Sequence, residues 1–213
     1  MYRLLWTAGQ RRSRPRRAGR ARDDPRVELT TSRLHLRPFT AADHEAIHAV
    51  YSDPDVMRYV GHGAHTTMAE TLRALRVYAD ILATHGYSFL AVVERERGIV
   101  VGDAGLNPLG GRGPDVELGY TVARAEWGRG YATEAGRALV EHAFGALDVP
   151  RVVAQVEPAN AASRHVLEKL GMTARDERIA YGRPHLLYAV ERQDALPAPR
   201  RTQRTERGSA ESR

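Results

Sequence analysis

A short glycine-containing segment between a predicted strand and a predicted helix constrains this chain more than any other feature. The strand is the alternating apolar run of residues 116–122, and the helix is the periodic run of residues 135–144. Thr133 is placed to cap the helix, and Glu134 is favourable in its first turn. Such a turn directs unpaired backbone N–H groups and the positive end of the helix dipole to one point. The segment therefore predicts either a phosphate-binding loop or a tight turn alone.

Two common phosphate-binding motifs do not match this segment. No Lys-Ser/Thr pair follows Gly130, so the Walker A loop is excluded. The dinucleotide fingerprint has a third small residue after its first two glycines, and Thr133 stands at that position after Gly128 and Gly130. A glycine pair before a helix is weak evidence by itself, so a second segment has to decide between the two interpretations.

The second segment also joins a strand to a helix. Residues 151–156 form a predicted buried strand, and the apolar face of the helix that follows ends at Leu170. Gly171 is placed as its C-cap, and Asn160 and Ser163 lie on its first turns. The chain thus has two strand–helix units with polar residues at the start of each helix.

Together the two segments resemble a known superfamily. They read Trp127-Gly-Arg-Gly-Tyr-Ala-Thr-Glu-Ala and Asn160-Ala-Ala-Ser-Arg-His-Val-Leu-Glu-Lys-Leu-Gly-Met. This pair is similar to the GNAT superfamily of N-acetyltransferases, and most similar to its Rim-type ribosomal-protein N-acetyltransferase branch. Residues 29–43 of this chain also resemble the first strand and turn of that branch. The resemblance covers residues 27–192. It implies an α/β fold in which helices flank a mixed, mostly antiparallel, splayed sheet. It also implies transfer of an acetyl group from acetyl-CoA to an amine.

Composition agrees with an enzyme of one domain. The chain has 213 residues, 42% of them hydrophobic, and no cysteine, which excludes disulfides, thiolate metal sites and a cysteine nucleophile. No apolar run has the length of a membrane span, and no ordinary secretory signal begins the chain, so we expect a cytoplasmic protein with no membrane partner. The histidines have no metal-ligand spacing beyond a helical pair at His44 and His48, so we expect no metal.

The net charge of +6 comes from the two ends of the chain. Residues 1–26 contain nine Arg and two Asp, and residues 194–213 contain five Arg and three acidic residues, which leaves residues 27–193 with a net charge of −3. We expect a disordered Arg-rich extension, one N-acetyltransferase domain (27–193) and a disordered tail. Three interpretations of the extension are open: a disordered segment, a segment that results from a start site upstream of the true one, or an arm that contacts RNA or acidic lipid. Its run of residues 11–20 has no interleaved aromatic residues and no helical period, so we do not expect a nucleic-acid partner.

The remaining elements follow from periodicity and turn residues. The predicted elements are a strand at 29–37, a helix at 41–52 capped by Thr40, a helix at 67–85, a hairpin of residues 87–94 and 99–107 across Arg97-Gly98, and two last strands at 173–180 and 185–191 across Gly182-Arg-Pro184.

The resemblance implies where acetyl-CoA binds. Gly128, Gly130 and Ala132 would let the backbone approach the pyrophosphate closely. Arg129 would either add a charge to the phosphates or be a solvated loop arginine, and Trp127 either takes part in the motif or packs under the loop. The full set assigned to acetyl-CoA comprises Tyr120, Val122, Trp127, Gly128, Arg129, Gly130, Tyr131, Ala132, Thr133, Asn160 and Ser163.

The resemblance also implies how the thioester is activated. A backbone N–H within residues 120–122 would polarise its carbonyl. Ser163 resembles the hydroxyl that protonates the leaving sulfur in this branch, and its alternative role is a hydrogen bond within the helix turn. Asn160 would bond the pantetheine arm, cap the helix, or do both.

The general base has several candidates. An amine has a pKa near 10, so a base or a water chain must accept its proton near neutral pH. Glu117 lies on the strand before the loop, where some GNAT enzymes keep a catalytic carboxylate. The alternatives are Glu177, His185, Tyr181 and a water chain with no single base.

Three functions remain open from the sequence. The first is an acetyl-CoA-dependent N-acetyltransferase, acting as a monomer or homodimer on a primary amine. The acceptor would be a ribosomal protein or other protein N-terminus, a polyamine, an amino acid or an aminoglycoside. The second is a GNAT-like acyl-CoA-binding or regulatory module without catalysis, and the third is an RNA- or ribosome-associated protein that binds through its basic arm.

Overall fold

The computed structural model describes residues 27–109 and 115–194. The predictions for the Arg-rich extension and for the tail from residue 195 onward lie outside the described residues. The strands are β1 (Leu29–Thr30), β2 (Leu34–Arg37), β3 (Phe89–Glu94), β4 (Ile99–Pro108), β5 (Val116–Val122), β6 (Arg151–Val156), β7 (Thr173–Ala180) and β8 (Arg183–Glu191). The helices are α1 (His44–Tyr51), α2 (Pro54–Met57), α3 (Met68–His85), α4 (Tyr131–Gly145) and α5 (Ala161–Lys169).

The strands form one sheet in the order β1-β2-β3-β4-β5-β6-β8-β7. Strands β1 to β5 are antiparallel neighbours, while α4 carries the chain across one face so that β6 lies parallel to β5. The last two strands are antiparallel, with β8 between β6 and β7. The predicted mixed, mostly antiparallel sheet flanked by helices is confirmed.

The parallel pair β5–β6 is joined at its beginning only. Its two registered pairs are Val116 with Val152 and Glu117 with Val153, although both strands continue past them. Beyond these pairs the strands diverge and leave a gap in the middle of the sheet. The later residues of β5 and β6 line this gap, and α4 begins just after β5 ends.

The two faces of the sheet are covered by different helices. On one face, which we call the cofactor face after the expectation from the sequence that acetyl-CoA binds at the start of α4, the main core joins β2–β6 and β8 to α4 and α5 through residues such as Leu118, Leu139 and Leu167. On the other, the acceptor face, a second cluster centred on Ile47 and Tyr51 packs α1, α2 and α3 against the sheet. The two helix layers therefore lie on opposite faces of the sheet that contains the gap between β5 and β6.

Most predicted elements are confirmed, with local corrections. The strands 116–122 and 151–156 have the predicted bounds. The predicted strand 29–37 is two short strands, because a turn interrupts it. The predicted cap Thr133 is wrong: α4 begins at Tyr131, so Thr133 lies inside its first turn. The cap is Gly130, whose φ of 79° suits glycine.

The last hairpin turns one residue earlier than predicted. Its turn residues are Tyr181 and Gly182, with φ of 51° and 74°, and β8 already begins at Arg183. Two consecutive positive φ values define the tight turn that matches the twist of a two-residue hairpin. Pro184 therefore lies in β8, opposite Ile179 of β7, and precedes the residues that pair with β6.

No helix in the described part of the chain is both long enough and apolar enough to cross a membrane.

Candidate active site

The loop before α4 has the geometry of an anion-binding cradle. Gly128 and Gly130 both have positive φ, 76° and 79°, and a Cβ at Gly128 would meet no atom within 4 Å. The first N–H groups of α4, from Tyr131 to Thr133, have no acceptor among the described residues because no preceding helical turn supplies one. These N–H groups and the helix dipole point to the same place and favour a negative charge there.

The side chains of the predicted loop residues point to different partners. Trp127 is 51% exposed and donates from Nε1 to the Val122 carbonyl at 2.7 Å, so its ring is held against the end of β5. Arg129 is exposed, and its Nε lies 3.3 Å from Glu126. Tyr131 is buried in the core, which leaves only its backbone for the cradle. The backbone, more than the side chains, defines this site.

A carboxylate inside α4 fastens the cradle to the turn between β1 and β2. Glu134 Oε1 accepts from Thr31 Oγ1 (2.5 Å), Ser32 Oγ (3.0 Å) and the Arg33 N–H (2.9 Å). Its other oxygen accepts from Arg33 Nε at 2.7 Å. Burial opposes ionisation of this carboxyl, but these donors outweigh burial and lower the pKa of Glu134 to about 2. Glu134 is therefore ionised at any physiological pH and holds the turn in place.

Arg33 extends this contact to the cradle itself. Its Nη1 donates to the Arg129 carbonyl at 2.9 Å, and its guanidinium lies over the Tyr131 ring, 4.9 Å from the centroid. Its Nη2 is 3.6 Å from where a Cβ would stand on Gly130. Sequence reasoning placed Glu134 correctly in the first turn but missed Arg33, because about a hundred residues separate the two partners.

The backbone of β5 points into the gap at the predicted positions. The Ala123 N–H donates to the Val101 carbonyl of β4. Because neighbouring residues of an antiparallel strand alternate in direction, the N–H groups of Tyr120 and Val122 point away from β4, toward the gap. The structure therefore places two backbone donors where the sequence analysis expects the thioester carbonyl.

On the cofactor face, two hydroxyl groups meet across the gap. Tyr120 Oη lies 2.9 Å from Ser163 Oγ and donates to the Ser163 carbonyl at 3.1 Å. Burial raises the pKa of Tyr120 to about 12, so its phenol keeps its proton. Asn160 Oδ1 accepts from the Ser163 N–H at 3.1 Å, which confirms its helix-capping role. Sequence reasoning assigned only the backbone of Tyr120 and missed its hydroxyl.

On the acceptor face, Glu117 lies beside the gap. Its Oε1 accepts from Gln155 Nε2 of β6 at 2.8 Å, so the two side chains bridge the diverging strands. Burial raises the pKa of Glu117, while Gln155 and the charges of Arg178 and His185 act against the rise. A carboxylate with a raised pKa is suited to exchange protons near neutral pH.

The other base candidates are placed differently. His185 is 4% exposed, and its Nδ1 lies 3.0 Å from the Arg183 carbonyl. Glu177 is exposed and pairs with Leu186, which packs against the main core, so it belongs to the opposite face from Glu117. The structure therefore groups His185 with Glu117 and separates Glu177 from both.

The rim of the acceptor face is formed by the loop after α2 and the β7–β8 hairpin. Arg183 donates to the carbonyls of Arg58 (3.2 Å) and Gly61 (3.0 Å), and the rings of His62 and Tyr181 meet edge to face at 5.5 Å. Among residues 27–109 and 115–194, no group of three or more metal-ligating side chains is found.

Comparison with known proteins agrees with this geometry. The family model of the acetyltransferase (GNAT) domain matches residues 33–173. An uncharacterized N-acetyltransferase of Bacillus licheniformis, p20, is 29% identical over 142 residues, which covers 67% of this chain and 80% of p20. A GNAT-family acetyltransferase of known structure from Bacillus anthracis superimposes with a TM-score of 0.69 and 25% identity, covering 78% of this chain and 99% of that one.

The Rim-type branch is also represented among the similar structures. The ribosomal-protein-S5-alanine acetyltransferase of Vibrio fischeri has a TM-score of 0.66 and 20% identity, and covers 80% of this chain and 100% of that chain. At this identity the likeness shows the fold. The sheet, the cradle and the family match together define an acetyltransferase, and the chain belongs to the GNAT family.

Proposed function

We propose that this protein transfers an acetyl group from acetyl-CoA to a primary amine that attacks the thioester directly. One observation carries the proposal: a gap between two parallel strands ends at an anion-binding cradle, with hydroxyl groups on one face and a carboxylate on the other. CoA has a pyrophosphate for the cradle and a thin pantetheine arm for the gap. The residues present therefore fit acetyl-CoA as a substrate.

Backbone N–H groups would bind acetyl-CoA and polarise its thioester carbonyl. The N–H groups at the start of α4 would hold the pyrophosphate, and Asn160 would contact the pantetheine arm through its amide while it caps α5. The N–H groups of Tyr120 and Val122 would align the arm and stabilise negative charge on the carbonyl oxygen.

Side chains on the two faces would transfer the two protons of the reaction. Glu117 would accept a proton from the amine on the acceptor face, directly or through water, because burial holds its pKa nearer to neutral pH. The hydroxyl pair of Tyr120 and Ser163 would supply a proton to the leaving sulfur on the cofactor face. Since Tyr120 stays protonated and contacts Ser163, whichever hydroxyl gives its proton to the sulfur can be reprotonated by the other.

The acceptor is proposed at the level of chemical class. A protein N-terminus or a small-molecule amine fits an open rim made of a loop and a hairpin. The Vibrio fischeri enzyme of the same fold is named for ribosomal protein S5, so a ribosomal protein N-terminus belongs in the first set of acceptors. We further propose a cytoplasmic location and a monomeric or homodimeric state.

The test is an acetyl-transfer assay with a panel of amines, in which CoA release and acetylated product are both measured. The panel contains peptides with ribosomal-protein N-termini, polyamines, amino acids and aminoglycosides. Product with at least one amine supports the proposal. Binding of acetyl-CoA without product from any class would favour the non-catalytic acyl-CoA-binding module.

A cradle variant separates binding from chemistry. Gly130→Asp places a carboxylate at the anion site, and acetyl-CoA affinity should fall by about 1.5–3 kcal/mol for each charge-assisted bond lost. Gly86→Asp is the matched control, because Gly86 has a φ of 77° and open space around it but ends α3. Unchanged acetyl-CoA binding in a folded Gly130→Asp protein would refute the cradle assignment.

The hydroxyl pair is tested by Ser163→Ala, Tyr120→Phe and the double variant. If the pair donates one proton, each single change should lower kcat by about 10²-fold with little effect on acetyl-CoA affinity, and the double change should cost little more. Wild-type turnover in both single variants, with chemistry rate-limiting, would remove the pair from the mechanism.

A further inference from the structure

An arginine on the acceptor face has no partner for its charge. Arg178 of β7 is half-buried, whereas Arg175, Asp176 and Glu177 before it on the strand are exposed. Its Nε is enclosed, and its guanidinium makes neither a hydrogen bond nor an ion pair within residues 27–109 and 115–194. Removing a cation from water without giving it an acceptor is unfavourable, so folding alone does not account for this arginine.

Two acidic residues in this part of the sheet have other contacts. Glu157 follows β6, and its Oε1 lies 2.7 Å from Nη1 of Arg183. Asp176 is two residues before Arg178 on the same face of β7, but it is exposed and accepts from the Glu177 N–H at 2.8 Å. Neither carboxylate therefore balances the charge of Arg178.

The register of the sheet places Arg178 on the same face as the proposed base. Arg178 is directly opposite His185, which is two positions from Leu187 and shares its face of β8. Leu187 packs with Val153, and Val153 is registered with Glu117. In agreement with this placement, the charge of Arg178 acts against the rise that burial causes in the pKa of Glu117. The unpaired guanidinium and the proposed base therefore belong to one site.

A second unpartnered polar atom lies beside Glu117, on the opposite side of the gap from Arg178. Asn107 of β4 is directly opposite Glu117 of β5, so the two side chains share a face. Its Oδ1 is enclosed and accepts no hydrogen bond from the described residues. The acceptor face thus has an unused hydrogen-bond acceptor next to the base and an unused cation on the β7 side of the gap.

We propose that the acceptor is an amine that also carries a carboxylate, of the amino-acid class, and that the guanidinium of Arg178 binds this carboxylate. The inference rests on the proposed function and assigns its substrate class. The amine lies at Glu117 and Asn107, and the carboxylate lies across the gap, where the planar guanidinium offers it two parallel N–H donors. Polyamines and aminoglycosides have no such group and bring further positive charge beside Arg178, which disfavours them.

The reaction on this acceptor balances without another reactant. The amine nitrogen forms a bond to the acetyl carbon, and the bond from that carbon to sulfur breaks. The amine loses a proton to Glu117, and the sulfur gains one from the hydroxyl pair of Tyr120 and Ser163. The products are an N-acetyl amino acid and CoA. Arg178 touches only the carboxylate, so it determines specificity and takes no part in the proton transfers.

The test compares each amino acid with its own amide, which keeps the amine and the side chain but lacks the negative charge. Acetylation by acetyl-CoA is measured for both, and the ratio of the two kcat/KM values is the preference for the carboxylate. In Arg178→Gln this ratio should fall by at least about tenfold, mainly through KM for the amino acid, as expected for one lost charge-assisted contact.

Two further variants complete the series. Arg178→Lys keeps the charge but not the parallel donors, so its ratio should lie between those of the wild type and Arg178→Gln. Arg175→Gln is the control, since Arg175 is an exposed arginine of the same strand. An amide and its amino acid differ in the pKa of the amine, and loss of Arg178 also affects Glu117. Both effects cancel when the ratios of two proteins are compared.

Each outcome bears on the proposal. An equal ratio in the wild type and Arg178→Gln would overturn it, as would an equal fall in Arg175→Gln. If Arg178→Gln does not fold, a wild-type ratio in Arg178→Lys would overturn it instead. Acetylation of peptides or polyamines but of no amino acid would also overturn the inference, while the proposed function would stand. If acetyl-CoA binds and no amine of any class is acetylated, the proposed function fails and the inference fails with it.

Discussion

Asp103 is a buried group whose titration should lower the stability of the fold as the pH rises from about 4 to above 6. It lies on β4 with 1% of its surface exposed, and its Oδ2 accepts from Tyr51 Oη at 2.6 Å. Its Oδ1 has no hydrogen-bond partner among the described residues. Burial raises the pKa of Asp103 to about 6, although the hydrogen bond from Tyr51 acts against the rise.

The magnitude follows from linkage. The ordinary pKa of an aspartate is 3.8, so the folded state raises the value by about two units. Each unit corresponds to about 1.4 kcal/mol, which makes ionisation of Asp103 cost the folded state about 3 kcal/mol. Because the folded pKa is the higher one, the stabilising contribution is complete below pH 3.8. It is lost as the pH rises through about 6.

Asp103→Asn removes the titration and keeps an oxygen acceptor for Tyr51. The free energy of unfolding is measured for both proteins by denaturant titration at several pH values. The difference between the two values should depend on pH. Relative to wild type, the variant should gain about 3 kcal/mol between about pH 4 and about pH 8. Asp148→Asn is the control, because the Asp148 side chain is 83% exposed. A difference that is constant with pH, or that falls as pH rises, would refute the reasoning.

Three further predictions concern the frame around the site. Gly171→Ala forces an alanine to a φ of 76° at the end of α5, so denaturant unfolding should show a loss of about 1–2 kcal/mol. Leu167→Ala truncates a side chain that is 1% exposed and leaves a cavity, so the same measurement should show a loss of about 2–5 kcal/mol in the free energy of unfolding. A fragment of residues 27–193 should keep the melting transition and acetyl-CoA binding of the full chain, and loss of folding would show that an end docks onto the domain.

The pattern of apolar residues was sufficient to predict the strands next to the gap. β5 and β6 have the predicted bounds, because each combines a clear apolar pattern with nearby turn residues. The end of α5 was also predictable. Gly171 donates to Glu168 and Met172 donates to Leu167, which is the pair of bonds that a glycine at this position makes after a helix.

The start of α4 could not be placed from local rules. A threonine before an apolar run usually marks a cap, and Thr133 fits that rule. The cap is instead three residues earlier, since Gly130 adopts a left-handed conformation and Tyr131 is drawn into the core. Tertiary packing of one aromatic ring thus overrides a cap preference of about 1 kcal/mol.

The groups proposed to transfer protons also show that local sequence patterns are not sufficient. Ser163 and Glu117 were identifiable by resemblance, but the hydroxyl of Tyr120 was not, because it meets Ser163 across 43 positions of sequence. Side chains at even and odd positions of β5 point to opposite faces, so the alternation alone separates Tyr120 from Glu117. Which face receives the cofactor depends on where α4 and α5 pack, and the strand pattern does not contain that information.

The divergence of β5 from β6 connects these features into one mechanism. A gap in a sheet exposes unpaired backbone donors that would otherwise be satisfied by the next strand, and here they belong to Tyr120 and Val122. In the proposed reaction, a thioester placed in the gap would meet a proton donor on the cofactor face and an amine with its base on the acceptor face. Attack by the amine and departure of the sulfur would then occur on opposite sides of the sheet, so neither group would block the other. In this proposal the fold would contribute to catalysis chiefly by positioning, and the proposed acid and base would refine an arrangement that the strands already impose.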